Sequence, residues 1–187
     1  AAEAHAASAR TGVLLVNLGT PDAPTAAAIR AYLRQFLSDR RVVELPRALW
    51  LPVLYGFILP FRPRRLVEAY SKVWSAHGSP LLAISREQQA GLRQRLGEEA
   101  VVELCMTYGR PSFGMAMDAL ARAGVRRLLV VPLYPQYSAT TTAAAFDALY
   151  AELAARRWPP EIRTVNSYHD DPAYIEALTP SEKVMRK

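Results

Sequence analysis

Hydrophobic residues along this chain follow two alternating patterns, short continuous apolar runs and longer segments with helical spacing. The continuous runs are typical of buried strands, and the spaced segments are typical of helices with one buried face. In segment 23–37, for example, Ile29, Leu33, Phe36 and Leu37 fall on one side of a helix. The apolar runs predict strands near residues 12–18, 100–107, 126–132 and 161–167. The spaced segments predict helices at 23–37, 64–74, 82–96, 112–124, 140–157 and 172–178.

Strands that alternate with helices predict an α/β fold, namely a doubly wound parallel four-stranded sheet with helices on both faces. In such a sheet, ligands bind beyond the carboxyl ends of the strands. Two of the predicted helices begin with capping signals, because a threonine run starts at Thr140 and Asp171 precedes Pro172. We therefore expect Thr140 and Asp171 to be N-cap residues.

The segment 45–66 breaks the alternation, because it is very apolar, contains four prolines and ends on Arg62, Arg64 and Arg65. A helix that spans a membrane needs about 20 apolar residues without interruption, and these prolines interrupt the run. Two interpretations remain. The segment is either buried and irregular, or a lip whose residues 48–61 touch an apolar ligand or a membrane surface. A lip with arginines behind it suits a flat, apolar molecule that carries carboxylates.

The composition is that of a globular domain with a sizeable core, since 51% of the 187 residues are hydrophobic. Cys105 is the only cysteine, so the chain can form neither an internal disulfide nor a cysteine-ligated iron–sulfur cluster. The Ala-rich residues 1–10 lack the apolar run of a secretory signal, and we expect a loose tail there. These features predict a cytoplasmic protein. The net charge of +6 does not choose among nucleic acid, a membrane surface and an acidic ligand.

Common nucleotide, zinc and hydrolase motifs are missing from the sequence. No Gly-x-Gly-x-x-Gly follows the first predicted strand, and no P-loop, Cys-x-x-Cys, His-Glu-x-x-His or Gly-x-Ser-x-Gly occurs. The predicted strand ends offer aromatic and hydroxyl side chains instead, which suit a planar aromatic ligand. These side chains are Tyr108, Tyr134, Tyr137, Ser138, Thr140, Thr141 and Thr142.

Four segments carry motifs of one known family, namely residues 13–25 (VLLVNLGTPDAPT), 70–81 (YSKVWSAHGSPL), 106–112 (MTYGRPS) and 132–142 (PLYPQYSATTT). Together they resemble the ferrochelatase family. The resemblance implies insertion of ferrous iron into protoporphyrin IX, the last step of haem synthesis, with iron as a substrate and no permanently bound cofactor. It also implies two similar α/β domains with the porphyrin between them, and no nucleic-acid partner. Residues 11–178 resemble the first domain, residues 179–187 depart from the pattern, and we expect the second domain to be absent from this chain.

The resemblance also assigns substrate-binding positions. It implies that Leu18 faces the macrocycle and that Arg40, Tyr70 and Ser79 lie near the propionates. Tyr108, Tyr137 and Ser138 match positions of the pocket wall, and Thr141 is also expected to bind the substrate. Thr107 stands where some members of the family have an arginine, so no charged contact is expected from that strand end. The complete predicted set is Leu18, Arg40, Tyr70, Ser79, Tyr108, Tyr137, Ser138 and Thr141.

No histidine of the chain fits the catalytic base of that family. His77, in His-Gly-Ser-Pro, follows a predicted helix, whereas the family's catalytic histidine follows a strand of the second domain. His169 lies beside Asp170 and Asp171, and Asp171 is better explained as a helix cap than as a metal ligand. We therefore assign no catalytic residue and no metal ligand.

These considerations predict a chain that binds porphyrin weakly, does not insert iron alone and tends to self-associate through its uncovered cleft. Two alternatives remain. One is a non-catalytic tetrapyrrole-binding module. The other is a single-domain chelatase that works as a homodimer, although such proteins place a histidine just after the first strand, where Leu18 stands here.

Overall fold

The computed structural model of the chain describes residues 10–76 and 78–179 and contains a parallel four-stranded sheet. The strands are β1 (Arg10–Thr20), β2 (Ala100–Gly109), β3 (Val125–Pro132) and β4 (Glu161–Thr164), in the order β2-β1-β3-β4. The predicted fold and its four strands are therefore confirmed. His77, residues 1–9 and residues 180–187 lie outside the described residues.

Arg10, expected at the end of a loose tail, is the first residue of β1, and its guanidinium donates a hydrogen bond to the carbonyl of Ala123. Thr179, expected to start an off-pattern end, instead closes the last helix, where its hydroxyl donates to the carbonyl of Ile175. Arg10 and Thr179 thus both make contacts with the described domain.

Seven α-helices occur in the described residues. Two short π-helical turns, Leu54–Ile58 and Ala139–Ala143, adjoin three of them. The helices are α1 (Ala26–Ser38), α2 (Arg47–Val53), α3 (Leu59–Val73), α4 (Pro80–Leu96), α5 (Phe113–Arg122), α6 (Ala144–Ala154) and α7 (Pro172–Leu178).

The central strand β1 is buried on both faces, which is why its sequence is a continuous apolar run. Side chains alternate along a strand, so Leu14 and Val16 pack on one face of the sheet and Val13 and Leu15 on the other. The first face is covered by α5 and α6, and the second is covered by α4. The expectation of helices on both faces is confirmed.

The segment 45–66 is not buried and irregular, so that interpretation is wrong. Residues 47–66 form α2, the π-helical turn Leu54–Ile58 and the first half of α3, with Pro52 and Pro63 inside helices. Six of the segment's large apolar side chains are exposed, among them Leu49 at 69%, Phe57 at 68% and Phe61 at 61%. We call the exposed side chains Leu49, Val53, Tyr55, Phe57 and Phe61 the lip ridge. No helix among the described residues is both long and apolar enough to cross a bilayer.

One of the two predicted helix caps is wrong. Asp171 caps α7 as expected, since its carboxylate accepts hydrogen bonds from the backbone N–H groups of Ala173 and Tyr174. The threonine run is instead capped by Ser138, whose hydroxyl accepts a hydrogen bond from the N–H of Thr140. Thr140 itself lies inside the π-helical turn, because the helical backbone begins at Ala139, one residue earlier than the sequence indicated.

Candidate functional site

The carboxyl ends of β1 and β2 form the centre of the candidate site. In the register between the two strands, Gly19 lies opposite Tyr108 and Thr20 lies opposite Gly109. Leu18 is half-buried at this end of β1, and its backbone N–H donates to the side-chain oxygen of Asn17.

Gly19 allows the two strand ends to approach closely. Its φ is +111°, a backbone conformation that residues other than glycine rarely adopt. A Cβ at this position would lie 1.7 Å from the Tyr108 carbonyl oxygen. This close approach fixes the position of Leu18 relative to the backbone of Tyr108.

Tyr108 is a buried residue of the site whose hydroxyl is held by a hydrogen bond. Only 5% of the residue is exposed, and its hydroxyl donates a 2.7 Å hydrogen bond to Oδ2 of Asp39, just after α1. Burial, helped by that hydrogen bond, raises the pKa of Tyr108 well above its ordinary value, so the phenol is neutral. Tyr108 was predicted to line the pocket wall, but its hydroxyl is already committed and cannot bind a ligand without leaving Asp39.

Asp39 joins β2 to the turn that follows α1. Its second carboxylate oxygen accepts from the N–H of Arg41 at 2.7 Å, and its carbonyl accepts from the N–H groups of Val42 and Val43. The turn that carries Arg40 is therefore held by the same carboxylate that binds Tyr108. Sequence reasoning missed Asp39, since nothing in the pattern around residues 38–41 distinguishes it from a solvent-exposed acid.

An apolar cluster, which we call the lip cluster, connects this centre to the segment 45–66. It brings together two further predicted residues, Leu18 and Tyr70, with Tyr108. Burial raises the pKa of Tyr32 to about 12 and also raises that of Tyr70, so both phenols stay neutral at physiological pH. Its buried members are Ile29, Tyr32, Leu33, Leu54, Leu59 and Tyr108, and its partly buried members are Leu18, Phe36, Leu37, Val42, Trp50, Leu51, Ile58, Leu66, Val67 and Tyr70.

The predicted residues Arg40 and Tyr137 are both exposed at the rim of the site. The neighbouring Arg41 forms two hydrogen bonds, of 2.7 and 3.0 Å, with the carboxylate of Asp147 on α6, and it lies within electrostatic reach of Tyr137. Two predicted residues, Ser138 and Thr141, belong to the start of the adjacent helix, where the Ser138 hydroxyl is used as the cap.

Ser79 lies apart from the lip cluster, in a groove beyond the ends of β1 and β2. This groove has a volume of about 400 Å³ and is lined by Trp74, Asp22 and Arg110 among others. Ser79 is buried, and the Tyr70 ring meets the Trp74 ring edge-on with centroids 6.4 Å apart. The groove thus adjoins the lip cluster through this aromatic pair. Sequence reasoning missed Asp22 and Arg110 because only the fold brings them together.

His169 is exposed in the turn before α7 and follows β4 at the edge of the sheet. In the described part of the chain, no group of three or more His, Cys, Asp or Glu side chains could hold a metal ion. Because β3 lies between β4 and β1, His169 follows a strand about 10 Å from the one that carries Leu18.

Comparison with known proteins decides the family. The ferrochelatase family model matches residues 10–185, which is nearly the whole chain. The chain belongs to the ferrochelatase family. This match extends past Leu178 into the residues that the sequence analysis placed outside the pattern.

Curated ferrochelatases support this membership. The ferrochelatase of Teredinibacter turnerae is 53% identical over 178 residues, which cover 93% of this chain and 49% of the relative. That of Methylibium petroleiphilum is 52% identical and covers 95% of this chain and 50% of the relative. Ferrochelatase 2 of Shewanella oneidensis is 49% identical, with 95% and 55% covered. The chain thus spans about half the length of the curated ferrochelatases that it matches.

Proposed function

We propose that this chain forms one wall of the cleft in which ferrous iron is inserted into protoporphyrin IX. Family membership supports the reaction, and the lip cluster is the observation that carries the proposed role of this chain. Its partly buried members include Leu18 and Tyr70, so part of each of these side chains remains accessible to a ligand. Both belong to the set that resemblance assigns to the substrate.

The wall suits a porphyrin because it is apolar and uncharged. Burial keeps Tyr32, Tyr70 and Tyr108 neutral, so no phenolate opposes a flat apolar ring. Each square ångström of apolar surface removed from water contributes roughly 25 cal/mol. Contact with one face of the ring therefore gives appreciable affinity.

Arginines surround this apolar surface. Arg62, Arg64 and Arg65 are exposed on α3, and Arg40 is exposed on the turn held by Asp39. A guanidinium group pairs with a carboxylate through two parallel hydrogen bonds. We propose that arginines from this set hold the propionates while the ring lies on the lip cluster.

Iron insertion also needs a base that accepts the two pyrrole N–H protons. His169 follows the edge strand β4, on the far side of β3 from Leu18, and is poorly placed to face a ring on the lip cluster. We propose that the base comes from outside residues 10–76 and 78–179, that it is not His77, and that this chain alone binds porphyrin without accelerating insertion.

A fluorescence titration with protoporphyrin IX, run beside an anaerobic ferrous-insertion assay, tests this proposal. Leu18→Glu should weaken porphyrin binding at least about tenfold, since it places a charge against the ring. Ile84→Glu is the matched control, because Ile84 is exposed on α4, away from the lip cluster, and it should leave binding unchanged.

Insertion that saturates with porphyrin and scales with the amount of chain would contradict the one-wall proposal. It would favour the homodimeric alternative. His77→Ala and His169→Ala would then identify the base, because loss of a general base costs about 10²–10⁴-fold in rate.

We also propose that the lip ridge contacts a membrane surface. The protein would then be a peripheral membrane protein on the cytoplasmic side of that membrane. The exposed aromatic and aliphatic side chains of the lip ridge lie on one helical segment, and Arg62, Arg64 and Arg65 follow the last of them, Phe61, in the sequence. Aromatic rings beside basic residues are typical of helices that lie in the bilayer interface. Phe57→Ser with Phe61→Ser should reduce binding to neutral phosphatidylcholine vesicles in a flotation assay.

A further inference from the structure

A second groove, which we call the α1–lip groove, runs between α1 and the segment that carries the lip ridge. Its volume is about 550 Å³. Two arginines, Arg30 and Arg34, line it together with the aromatic residue Tyr55 and four apolar residues. The lining residues are Ala27, Arg30, Ala31, Arg34, Tyr55, Leu59 and Pro60.

A proline in α3 explains why Arg30 is held at this groove. In a regular helix, the carbonyl of Leu59 would accept a hydrogen bond from the N–H of residue 63. Residue 63 is a proline and has no N–H, so that carbonyl needs another donor. Arg30 supplies it, since its Nε donates to the Leu59 carbonyl at 2.9 Å. This bond orients the guanidinium and leaves its two terminal NH₂ groups for a ligand.

The groove is strongly basic and its charge is not neutralised within the fold. Arg34 lies one helical turn after Arg30, and like charges at that spacing repel each other. Among residues 10–76 and 78–179, no carboxylate forms a salt bridge with either arginine. The neighbouring segment 45–67 contains four arginines and no acidic residue. An anion in the groove would therefore relieve a repulsion that the protein leaves uncompensated.

Tyr55 connects the groove to the lip ridge. Its ring lines the groove, and at the same time it is one of the exposed ridge side chains. A ligand with a phosphate at one end and an apolar remainder could therefore place the phosphate between the arginines and the remainder along the ridge. Bidentate hydrogen bonding makes arginine well suited to the phosphate.

We propose that the α1–lip groove binds the phosphate of an acidic phospholipid headgroup at a membrane surface. This inference rests on the membrane contact proposed above for the lip ridge, and it adds a lipid preference to that contact. A free phosphate would use the two arginines but not the ridge. A second copy docked in the α1–lip groove itself, rather than on the ridge, would bring Arg30 and Arg34 of both copies face to face.

Vesicle flotation with the purified chain tests the inference, using phosphatidylcholine alone and phosphatidylcholine mixed with phosphatidylglycerol. The wild-type chain should bind the acidic vesicles more tightly. Arg30→Gln with Arg34→Gln should weaken that binding about 25-fold, since each arginine near an acidic surface is worth about 1 kcal/mol. Binding to neutral vesicles should be unchanged.

Two further variants distinguish specific binding in the groove from general attraction between a basic protein and an acidic membrane. Arg95→Gln with Arg126→Gln removes the same charge from exposed positions on α4 and β3, and it should retain nearly all the acidic-vesicle binding. Arg30→Lys with Arg34→Lys keeps the charge but loses the paired hydrogen bonds, and we expect at least about a fivefold loss. Equal effects of the two glutamine pairs, or full retention by the lysine pair, would overturn the inference.

The remaining outcomes assign the groove to another occupant. Calorimetric titration with inorganic phosphate should show only weak binding, and tight binding that needs Arg30 and Arg34 would make free phosphate the ligand. Dissociation of a dimer by the glutamine pair in lipid-free solution would make a second copy the occupant. If neutral vesicles fail to bind the wild-type chain, the proposed membrane contact itself fails. If the chain binds neutral and acidic vesicles equally well, the proposed membrane contact is supported and the proposed headgroup site is wrong.

Discussion

At the residue scale, adding a single methyl group at Gly19 should destabilise the protein strongly. Gly19→Ala places a Cβ against the Tyr108 carbonyl at 1.7 Å and forces alanine into a φ of +111°. We expect the free energy of unfolding to fall by more than about 3 kcal/mol, measured by urea denaturation.

Gly91 provides the matched control for that substitution. It lies inside α4, and a Cβ added there meets nothing within 4 Å. Gly91→Ala should therefore stabilise the protein by about 0.5–1 kcal/mol, because it reduces the conformational freedom of the unfolded chain. A Gly19→Ala protein of unchanged stability would show that the strand ends do not approach as closely as the structure indicates.

The Tyr108–Asp39 hydrogen bond is the second testable residue contact. Tyr108→Phe removes a buried hydroxyl that donates to a carboxylate, and we expect a loss of about 1.5–3 kcal/mol in the free energy of unfolding. Tyr150→Phe changes an exposed tyrosine in the same way and should stay within about 0.5 kcal/mol.

A double-mutant cycle with Asp39→Ala isolates this contact from other effects. The two substitutions should be strongly non-additive, because each removes the same hydrogen bond. If their effects simply add, Asp39 does not hold Tyr108, and the account of the turn that carries Arg40 fails with it.

At the element scale, two substitutions test whether Ser138 or Thr140 is the N-cap of the helix that follows β3. Ser138→Ala should cost about 1 kcal/mol, because the serine hydroxyl accepts from the N–H of Thr140. Thr140→Ala should cost less, since Thr140 is exposed within the π-helical turn and alanine favours helix. Thermal unfolding of the two variants decides between them. The reverse order of costs would restore Thr140 as the cap.

The ion pair between Arg41 and Asp147 joins the turn after α1 to α6, and its contribution should depend on pH. The hydrogen bond from Arg41 holds the pKa of Asp147 below its usual value of 3.8. A lowered folded-state pKa means that the stabilisation is complete above about pH 4 and is lost as pH falls through the folded-state value.

Asp147→Asn should therefore be less stable than the wild-type chain near neutral pH, and the difference should shrink below about pH 4. Urea midpoints measured across this range check the prediction. Arg163 and Glu161 form a longer, exposed ion pair of 3.9 Å, so Glu161→Gln is the control and should show a smaller difference. A difference for Asp147→Asn that is constant with pH would indicate a packing effect instead.

At the scale of the whole molecule, the lip ridge should govern self-association. A contiguous exposed apolar surface promotes association unless something covers it. We expect the sedimentation behaviour of the purified chain to depend on concentration, and Phe57→Ser with Phe61→Ser to shift it towards monomer.

Trp158→Ser is the control for this prediction, because Trp158 is 80% exposed but lies outside the lip ridge. If it changes association as much as the ridge variant does, the ridge is not the associating surface. A chain that remains monomeric at all accessible concentrations would remove the self-association proposal altogether.

The sequence by itself determined the strands, the class of fold and the family. Periodicity is a local property, so the apolar run at β1 and the spacing of Ile29 and Leu33 identify their elements without knowledge of any partner. The Asp171-Pro172 cap is local in the same way. Motif resemblance supplied the candidate substrate residues, because it compares short stretches whose internal spacing the chain carries itself.

Only the tertiary structure decided which surfaces are exposed and which polar groups meet. The segment 45–66 has the composition of a buried core, yet its ridge faces outward because one side of the segment alone can pack on α1. The prolines misled the sequence analysis, since a helix tolerates them when another group takes the freed carbonyl, as Arg30 does for Leu59. Asp39 and Tyr108 are 69 residues apart along the chain, and Arg30 and Leu59 are 29 apart. Contacts at such separations leave no periodic trace in the sequence, because they depend on how whole elements pack.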